Sequence, residues 1–308
     1  MARRKKGRDI DGILLLDKPV GCSSNHALQR VRRLFDAHKA GHTGSLDPLA
    51  SGLLPICLGE ATKLSTWLLD ADKRYRVSAA LDHETDTGDR EGQPTRHNEA
   101  ALPTQAQLLA LTQRFIGEQQ QIPPMYSALK RDGRPLYELA RAGVAVTREP
   151  RRITVHALAV LDYADNNLTL DVTVSRGTYI RTLVEDLARA WGGAAHVAAL
   201  RRTSVGPFAA PAMHGFATLE ELAAAGTAAL DELLLAPSAA LPDWPQAVLP
   251  DTAVSAIRQG RSVPAGGEQL PAPGWVRIMA ASGDFLGLGQ LDQHGRLAPK
   301  RMFTRALR

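Results

Sequence analysis

Residues 168–175 alternate without a break, with Leu168, Leu170, Val172 and Val174 on one side and Thr169, Asp171, Thr173 and Ser175 on the other. Successive side chains of an extended chain point to opposite faces, so this pattern predicts a strand with one apolar and one polar face. Arg176 and Gly177 then turn the chain into a segment carrying Leu183, Leu187 and Trp191 at helical spacing, which Gly192 and Gly193 end. A half-buried strand running directly into an amphipathic helix needs a core to cover both. The chain is long enough to supply one, with 308 residues of which 44% are hydrophobic. One large or two modest domains are expected. No run of about 18 apolar residues suggests a membrane span, and Met1 to Lys6 lead into polar residues, not a secretory signal core. Cys22 and Cys57 are the two cysteines, with no C-x-x-C pair, so a disulfide scaffold, a zinc ribbon and an iron–sulfur site lack ligands. The expectation is a reduced, cytoplasmic protein.

Further elements follow from the same reasoning. The apolar run Gly12 to Leu16 ends in the turn-forming Asp17-Lys18-Pro19-Val20-Gly21 and predicts a buried strand. Ser23 or Ser24 can cap a helix that carries Leu28, Val31, Leu34 and Phe35 on one face. Leu53 to Leu58 is a second apolar segment, and Tyr75 to Leu81 alternates as a half-buried strand. Thr104 and Gln107 form a capping box ahead of Leu108, Leu111 and Phe115, with Gly117 as the stop.

Net charge is +5, but it is unevenly spread. Five basic residues fall within the first eight positions and four within the last nine; without them acidic side chains outnumber basic ones. A basic tail over residues 1–10 is therefore expected, and pI alone does not establish a nucleic-acid partner. Residues 118–150 mix prolines and glycines with Lys130, Arg131, Arg134, Arg141 and Arg148, a pattern suited to an exposed, RNA-gripping excursion from the core. Asp82, Glu84, Asp86 and Asp89 read as a solvated acidic turn, because the closing bidentate glutamate of a calcium loop is missing. The Ala- and Pro-rich stretch 236–250 predicts a domain boundary, and Trp275 to Ala280 with Phe285 to Leu291 predicts a small all-β module beyond it.

The chemistry points to the loop Gly41 to Gly52. Its glycines permit backbone geometries closed to other residues, and Pro48 biases Asp47 towards an extended conformation. One carboxylate is thereby presented on a stiff loop poor in side chains, as a reactive group facing a bulky planar substrate requires, although Asp-Pro is also an ordinary turn opener. Arg181 falls in the first turn of a helix, where a cation opposes the macrodipole. A carboxylate partner would hold it there, as would solvent or a phosphate. Tyr75 and Tyr179 offer stacking faces or ordinary core packing, and His42 a stacking or hydrogen-bonding ring or a polar surface group. The P-loop, dinucleotide-binding, nucleophile-elbow and zincin spacings are absent.

Several segments in order resemble the bacterial tRNA pseudouridine-55 synthase family of the TruB type. They are Asp17-Lys18-Pro19-Val20-Gly21, Gly41-His42-Thr43-Gly44-Ser45-Leu46-Asp47-Pro48, Lys73-Arg74-Tyr75-Arg76-Val77, Met125-Tyr126-Ser127-Ala128-Leu129-Lys130 and Arg176-Gly177-Thr178-Tyr179-Ile180-Arg181. The resemblance implies an α+β fold with a mixed, mainly antiparallel central sheet flanked by helices over residues 11–246. It also implies a small PUA-like β-barrel over 247–308 and a thumb-like insertion at 118–150. By the same resemblance Asp47 matches the essential aspartate, Tyr75 the tyrosine against the target uracil and Arg181 the partner of the aspartate. His42, Tyr179, Leu200, Lys18 and Lys130 match substrate-binding positions. The implied substrate is the T stem-loop of tRNA, with no cofactor, no metal and no membrane, and the protein is expected to act as a monomer. Uridine would lose its N1 glycosidic bond, turn and rejoin the sugar through C5, with the carboxylate acting as nucleophile or base. Two other readings stand beside it. One is a tRNA-folding chaperone that would not need Asp47. The other is a nucleoside glycosidase that would need Asp86 or Asp89 as a second carboxylate.

Overall fold

The computed structural model describes residues 7–265 and 271–307. Most of the basic tail, from Met1 to Lys6, lies outside these residues, as does Arg308. Arg8 is not part of a free tail: it pairs with Asp231 and its backbone bonds to Asp36 and His38.

Strand β1 (Gly12–Lys18) is the predicted apolar run, and Ile13 to Leu16 are buried on both faces. Helix α1 (Ser24–Leu34) begins at Ser23, whose hydroxyl accepts from the His26 amide at 3.2 Å. It buries Ala27, Leu28 and Val31, with Phe35 just beyond its end. After the short β2 (Ala40–His42), β3 (Ala50–Leu58) runs antiparallel to β1, with Gly12 opposite Leu58 and Lys18 opposite Gly52. Helix α2 (Ser65–Asp70) leads to β4 (Lys73–Ala80), then to the hairpin β5 (His83–Thr85) and β6 (Pro94–His97). Helix α3 (Gln105–Arg114) carries the complete Thr104–Gln107 capping box, which satisfies two amides at its start.

Strand β7 (Gly117–Gln121) follows at once, so residues 118–121 belong to the central sheet and the excursion starts at 122. The sequence points to an earlier start because Gly-Glu-Gln-Gln-Gln has no apolar alternation. An edge strand with little buried side-chain surface needs none. The excursion holds a small hairpin, β8 (Lys130–Arg131) with β9 (Arg134–Pro135), and helix α4 (Leu136–Arg141). Strands β10 (Arg151–Ala164) and β11 (Asn167–Val174) form a long hairpin, then come α5 (Ile180–Ala190), β12 (His196–Val205) and the short β13 (Phe208–Ala209). The main path of the central sheet runs β1-β3-β12-β4-β11-β10-β7, antiparallel except between β3 and β12. Helices α1, α3 and α5 cover one face of it around Leu14, Leu16, Val77, Leu170 and Leu183.

Helices α6 (Phe216–Ala225) and α7 (Thr227–Asp231) lead to the C-terminal module of β14 (Gln246–Leu249), α8 (Asp251–Arg258), β15 (Val263–Pro264), β16 (Gly274–Ala280), β17 (Phe285–Leu291) and β18 (Arg296–Leu307). Its five strands follow the order β14-β16-β17-β18-β15, a curled half-barrel. The module is not all-β: Ile257 of α8 packs against Val276, Ile278 and Leu297. The module is also not independent of the rest. Phe285, Leu288, Phe303 and Leu307 share one apolar cluster with Ile13, Leu15, Leu53, Leu64, Leu68 and Phe208. Lys63 donates to the Met302 carbonyl at 2.9 Å, and Arg305 pairs with Asp11. A cut after residue 245 would therefore strip the covered face of β1 and β3. Phe285, edge-on to Phe303 at 4.9 Å between centroids, is the test of this joint. Phe285→Ala is expected to cost about 3–5 kcal/mol in chemical denaturation, and a loss under 1 kcal/mol would mean that the joint carries little of the stability.

Candidate active site

The loop between β2 and β3 is clamped from beneath. Ser24 Oγ accepts from the Leu46 amide at 2.7 Å and donates to its carbonyl at 3.0 Å. The Gly21 amide donates to the Pro48 carbonyl at 2.8 Å. Arg202, wholly buried, sends Nε to the Leu53 carbonyl at 2.7 Å and Nη2 to the Gly44 carbonyl at 3.1 Å. Where β3 runs beside β12, Gly52 has φ +101°, and a Cβ there would stand 2.2 Å from the Arg202 carbonyl oxygen. Only glycine lets the two strands meet. The result is a rigid platform that presents Asp47.

Arg181, on the first turn of α5, meets that carboxylate: its Nε lies 2.9 Å from Asp47 Oδ2. Arg181 is only 4% exposed, and the other nitrogens of its guanidinium are also taken. Nη1 donates to the Thr87 carbonyl and lies 3.7 Å from Asp89 Oδ2, and Nη2 donates to the Tyr126 carbonyl at 2.8 Å. The carboxylate pair and two carbonyls hold the cation where the helix dipole opposes it. Asp89 is itself fixed by Thr87 Oγ1 at 2.7 Å and the Glu91 amide at 3.1 Å. Gln121 of β7 grips the start of α5, accepting from the Tyr179 amide at 2.8 Å and donating to its carbonyl at 3.1 Å.

Asp47 and Arg181 stand between two cavities. One, of about 310 Å³, is walled by Tyr75, Tyr179, Leu200, Lys73 and Ile180. The other, of about 590 Å³, is walled by His42, Tyr126, Tyr137, Arg141 and Asp89. Of the Asp47 side chain, 41% still faces open space. Protein surrounds its carboxylate on the remaining sides, and this burial raises its pKa above the ordinary value despite the opposing charge of Arg181. Burial pushes the Tyr179 phenol up, and it pushes His42 down, helped by the charge of Arg202. His42 Nδ1 is buried with no hydrogen-bond partner among the described residues, which leaves it available to a ligand. Lys73, pushed down to about 8 by burial, donates to the Leu68 and Leu69 carbonyls at the end of α2.

Residues 32–180 match the N-terminal domain of TruB family pseudouridylate synthases, and 181–241 and 245–303 match two C-terminal domains described for tRNA pseudouridylate synthase B and pseudouridine synthase II TruB. The tRNA pseudouridine synthase B of Nitrosococcus oceani is 49% identical over 97% of both chains. That of Shewanella sp. (strain ANA-3) is 48% identical over 98% of this chain and 97% of its own. The chain belongs to the TruB family of pseudouridylate synthases. Among solved structures, a chain of a Cbf5–Nop10–Gar1 complex superposes with a TM-score of 0.72 at 25% identity, over 96% of this chain and 84% of the other. A chain of an H/ACA RNP bound to a substrate RNA superposes equally well at 23% identity, over 99% of this chain and 92% of its own, and shares the fold.

Within this TruB fold, six of the eight residues singled out from the sequence, Asp47, Arg181, Tyr75, Tyr179, Leu200 and His42, line one or both cavities. Lys18 does not: it is completely buried, and Nζ donates to the Pro19 carbonyl at 2.8 Å and the Cys22 carbonyl at 2.6 Å, so it shapes the turn beneath the loop. Lys130 is exposed on β8 and lines neither cavity. The acidic stretch is not a solvated turn, since Glu84 and Asp89 are buried and paired with Arg189, Arg96 and Arg181. Asp89, Gln121 and Arg202 were not identified from the sequence as supports of the site. Nothing local distinguishes a buried arginine or glutamine from an exposed one.

Proposed function

We propose that this chain converts uridine to pseudouridine at position 55 in the T-loop of tRNA. The observation that carries this reading is the Asp47–Arg181 pair lining a cleft that Tyr75 and Leu200 also line. The flat apolar walls suit a pyrimidine turned out of its stack, at a cost of a few kcal/mol that stacking on Tyr75 offsets. Asp47 acts as nucleophile or base while the N1–C1′ bond breaks and the C5–C1′ bond forms, and the hydrogen on C5 leaves to solvent. Electrons balance within the nucleoside, so no oxidant or cofactor takes part. His42, Tyr126 and Tyr137 in the second cavity suit the neighbouring unstacked nucleotides.

Residues 122–150 serve as a thumb over the RNA. Ser127 and Ala128 line both cavities, while Lys130, Arg131 and Arg134 stand exposed on the hairpin above. Exchanging these three for glutamine is expected to weaken tRNA binding, and to reduce the slope of log K against log salt by roughly 1 for each phosphate no longer neutralised. An unchanged slope in a salt-dependent binding titration would remove the thumb from the interface. No described helix is long and apolar enough to cross a membrane, and we take the protein to meet tRNA as a monomer in the cytoplasm. Tritium release from C5-labelled uridine in a T-loop transcript tests the whole reading. Release with the base still attached is expected, whereas release of free uracil would mean a glycosidase and no release a binding protein only.

A further inference from the structure

At the far end of β12 from the Arg202 clamp, among the described residues, one carboxylate and two imidazoles converge: Asp82, His83 and His196 place ligand atoms all within 4.8 Å of one another. Asp82 Oδ1 lies 3.1 Å from His83 Nδ1 and 3.4 Å from His196 Nδ1. A tetrahedral zinc site with bonds of about 2.0–2.2 Å has neighbouring donors about 3.3 Å apart, so both separations are already those of adjacent ligands on one ion. The His83 carbonyl oxygen, 3.0 Å from His196 Nδ1, accepts a hydrogen bond from that nitrogen, whose proton an ion bound at Nδ1 would replace. We propose that Asp82, His83 and His196 bind a divalent transition-metal ion of the zinc class.

The donor set favours that class. Two imidazoles and a carboxylate are borderline ligands that suit zinc, cobalt or nickel, whereas magnesium and calcium require shells built mainly of oxygen. Burial is graded as an open site needs: the His196 side chain is 7% exposed, His83 22% and Asp82 51%. An ion can enter from the Asp82 side and keep a water there. The rings of His83 and His196 lie 4.3 Å apart, and His97, opposite His83 in the β5–β6 register, lies 5.9 Å from the His83 ring.

The place of the site gives the ion a consequence. Between β5 and β6 lies the turn that carries Thr87 and Asp89 to Arg181, and this turn is tied to β12 by the Val197 amide on Gly88 and the Arg90 amide on Val197, each at 3.0 Å. An ion joining His83 to His196 would staple the same turn to the same strand one residue away. It would stabilise the support of the catalytic pair without touching substrate.

The test uses the full chain, freed of metal by chelation and titrated with Zn²⁺ by calorimetry and with Co²⁺ by visible absorption. One ion per chain, the visible bands of tetrahedral cobalt and a Tm that rises with ion concentration are expected. Mg²⁺ should leave Tm unchanged. Asp82→Asn and His83→Ala alter partly exposed side chains and should each weaken binding at least tenfold while the far-ultraviolet dichroism stays that of the parent; His196→Gln should do the same. Zn²⁺ affinity weaker than about 1 mM, or affinity equal in the parent and all three variants, would overturn the proposal.

Discussion

Replacing Asp47 with asparagine is expected to lower pseudouridine formation at least about a thousandfold, equivalent to roughly 4 kcal/mol of transition-state stabilisation, while tRNA still binds. Asparagine fills the same space beside Arg181 but can neither attack carbon nor accept a proton as a carboxylate does. The same variant carries a stability signature of opposite sign. Burial raises the pKa of Asp47 in the folded protein, so its ionised form opposes folding. The preference of the folded state for the protonated carboxyl contributes stability that is fully present below the ordinary carboxylate pKa and is lost as pH rises through the folded value. At neutral pH Asp47→Asn should therefore melt at or above the parent temperature, with the difference shrinking in acid. Turnover near the parent rate would sink the catalytic role, and a lower melting temperature at neutral pH would sink the electrostatic account.

Arg181→Met is expected to lose both activity and stability. The side chain packs in similar space but leaves Asp47 and the buried Asp89 without their cation, and the Thr87 and Tyr126 carbonyls without a donor. Breaking a buried pair from one side typically costs about 3–5 kcal/mol, which equilibrium denaturation would read directly. Arg181→Lys keeps one charge but cannot reach four acceptors at once, so partial activity is expected. Because Arg181 is the largest influence holding the pKa of Asp47 down, the acid limb of the rate profile should move to higher pH in the lysine variant. A limb that stays in place would mean that Asp47 is not the group being titrated.

The two variants bear on what could be read before any coordinates. The β11 alternation, the Thr104–Gln107 cap and the apolar run of β1 each lie within one short window, and all three were legible. Asp47 and Arg181 drew attention by a glycine frame and an unfavourable place on a helix, but the residues alone left a plain turn and a solvent or phosphate partner open; their pairing was implied by the resemblance, and the structure brings them to 2.9 Å. Strand β7 escaped notice because a polar edge strand is held by backbone bonds to β10 and shows no side-chain pattern. Helix α8 and the shared cluster around Phe285 escaped because the covering partner lies in the first strands of the chain.

Local periodicity, capping and turn chemistry are properties of neighbouring residues, and they determined the elements and the loop that presents the carboxylate. Which side chains surround that carboxylate was decided only by the tertiary structure. Thr87, Tyr126 and Asp89 reach Arg181 from segments 55 to 94 residues away. The raised pKa of Asp47 likewise comes from the protein packed around it, because desolvation depends on three-dimensional burial that no spacing along the chain records.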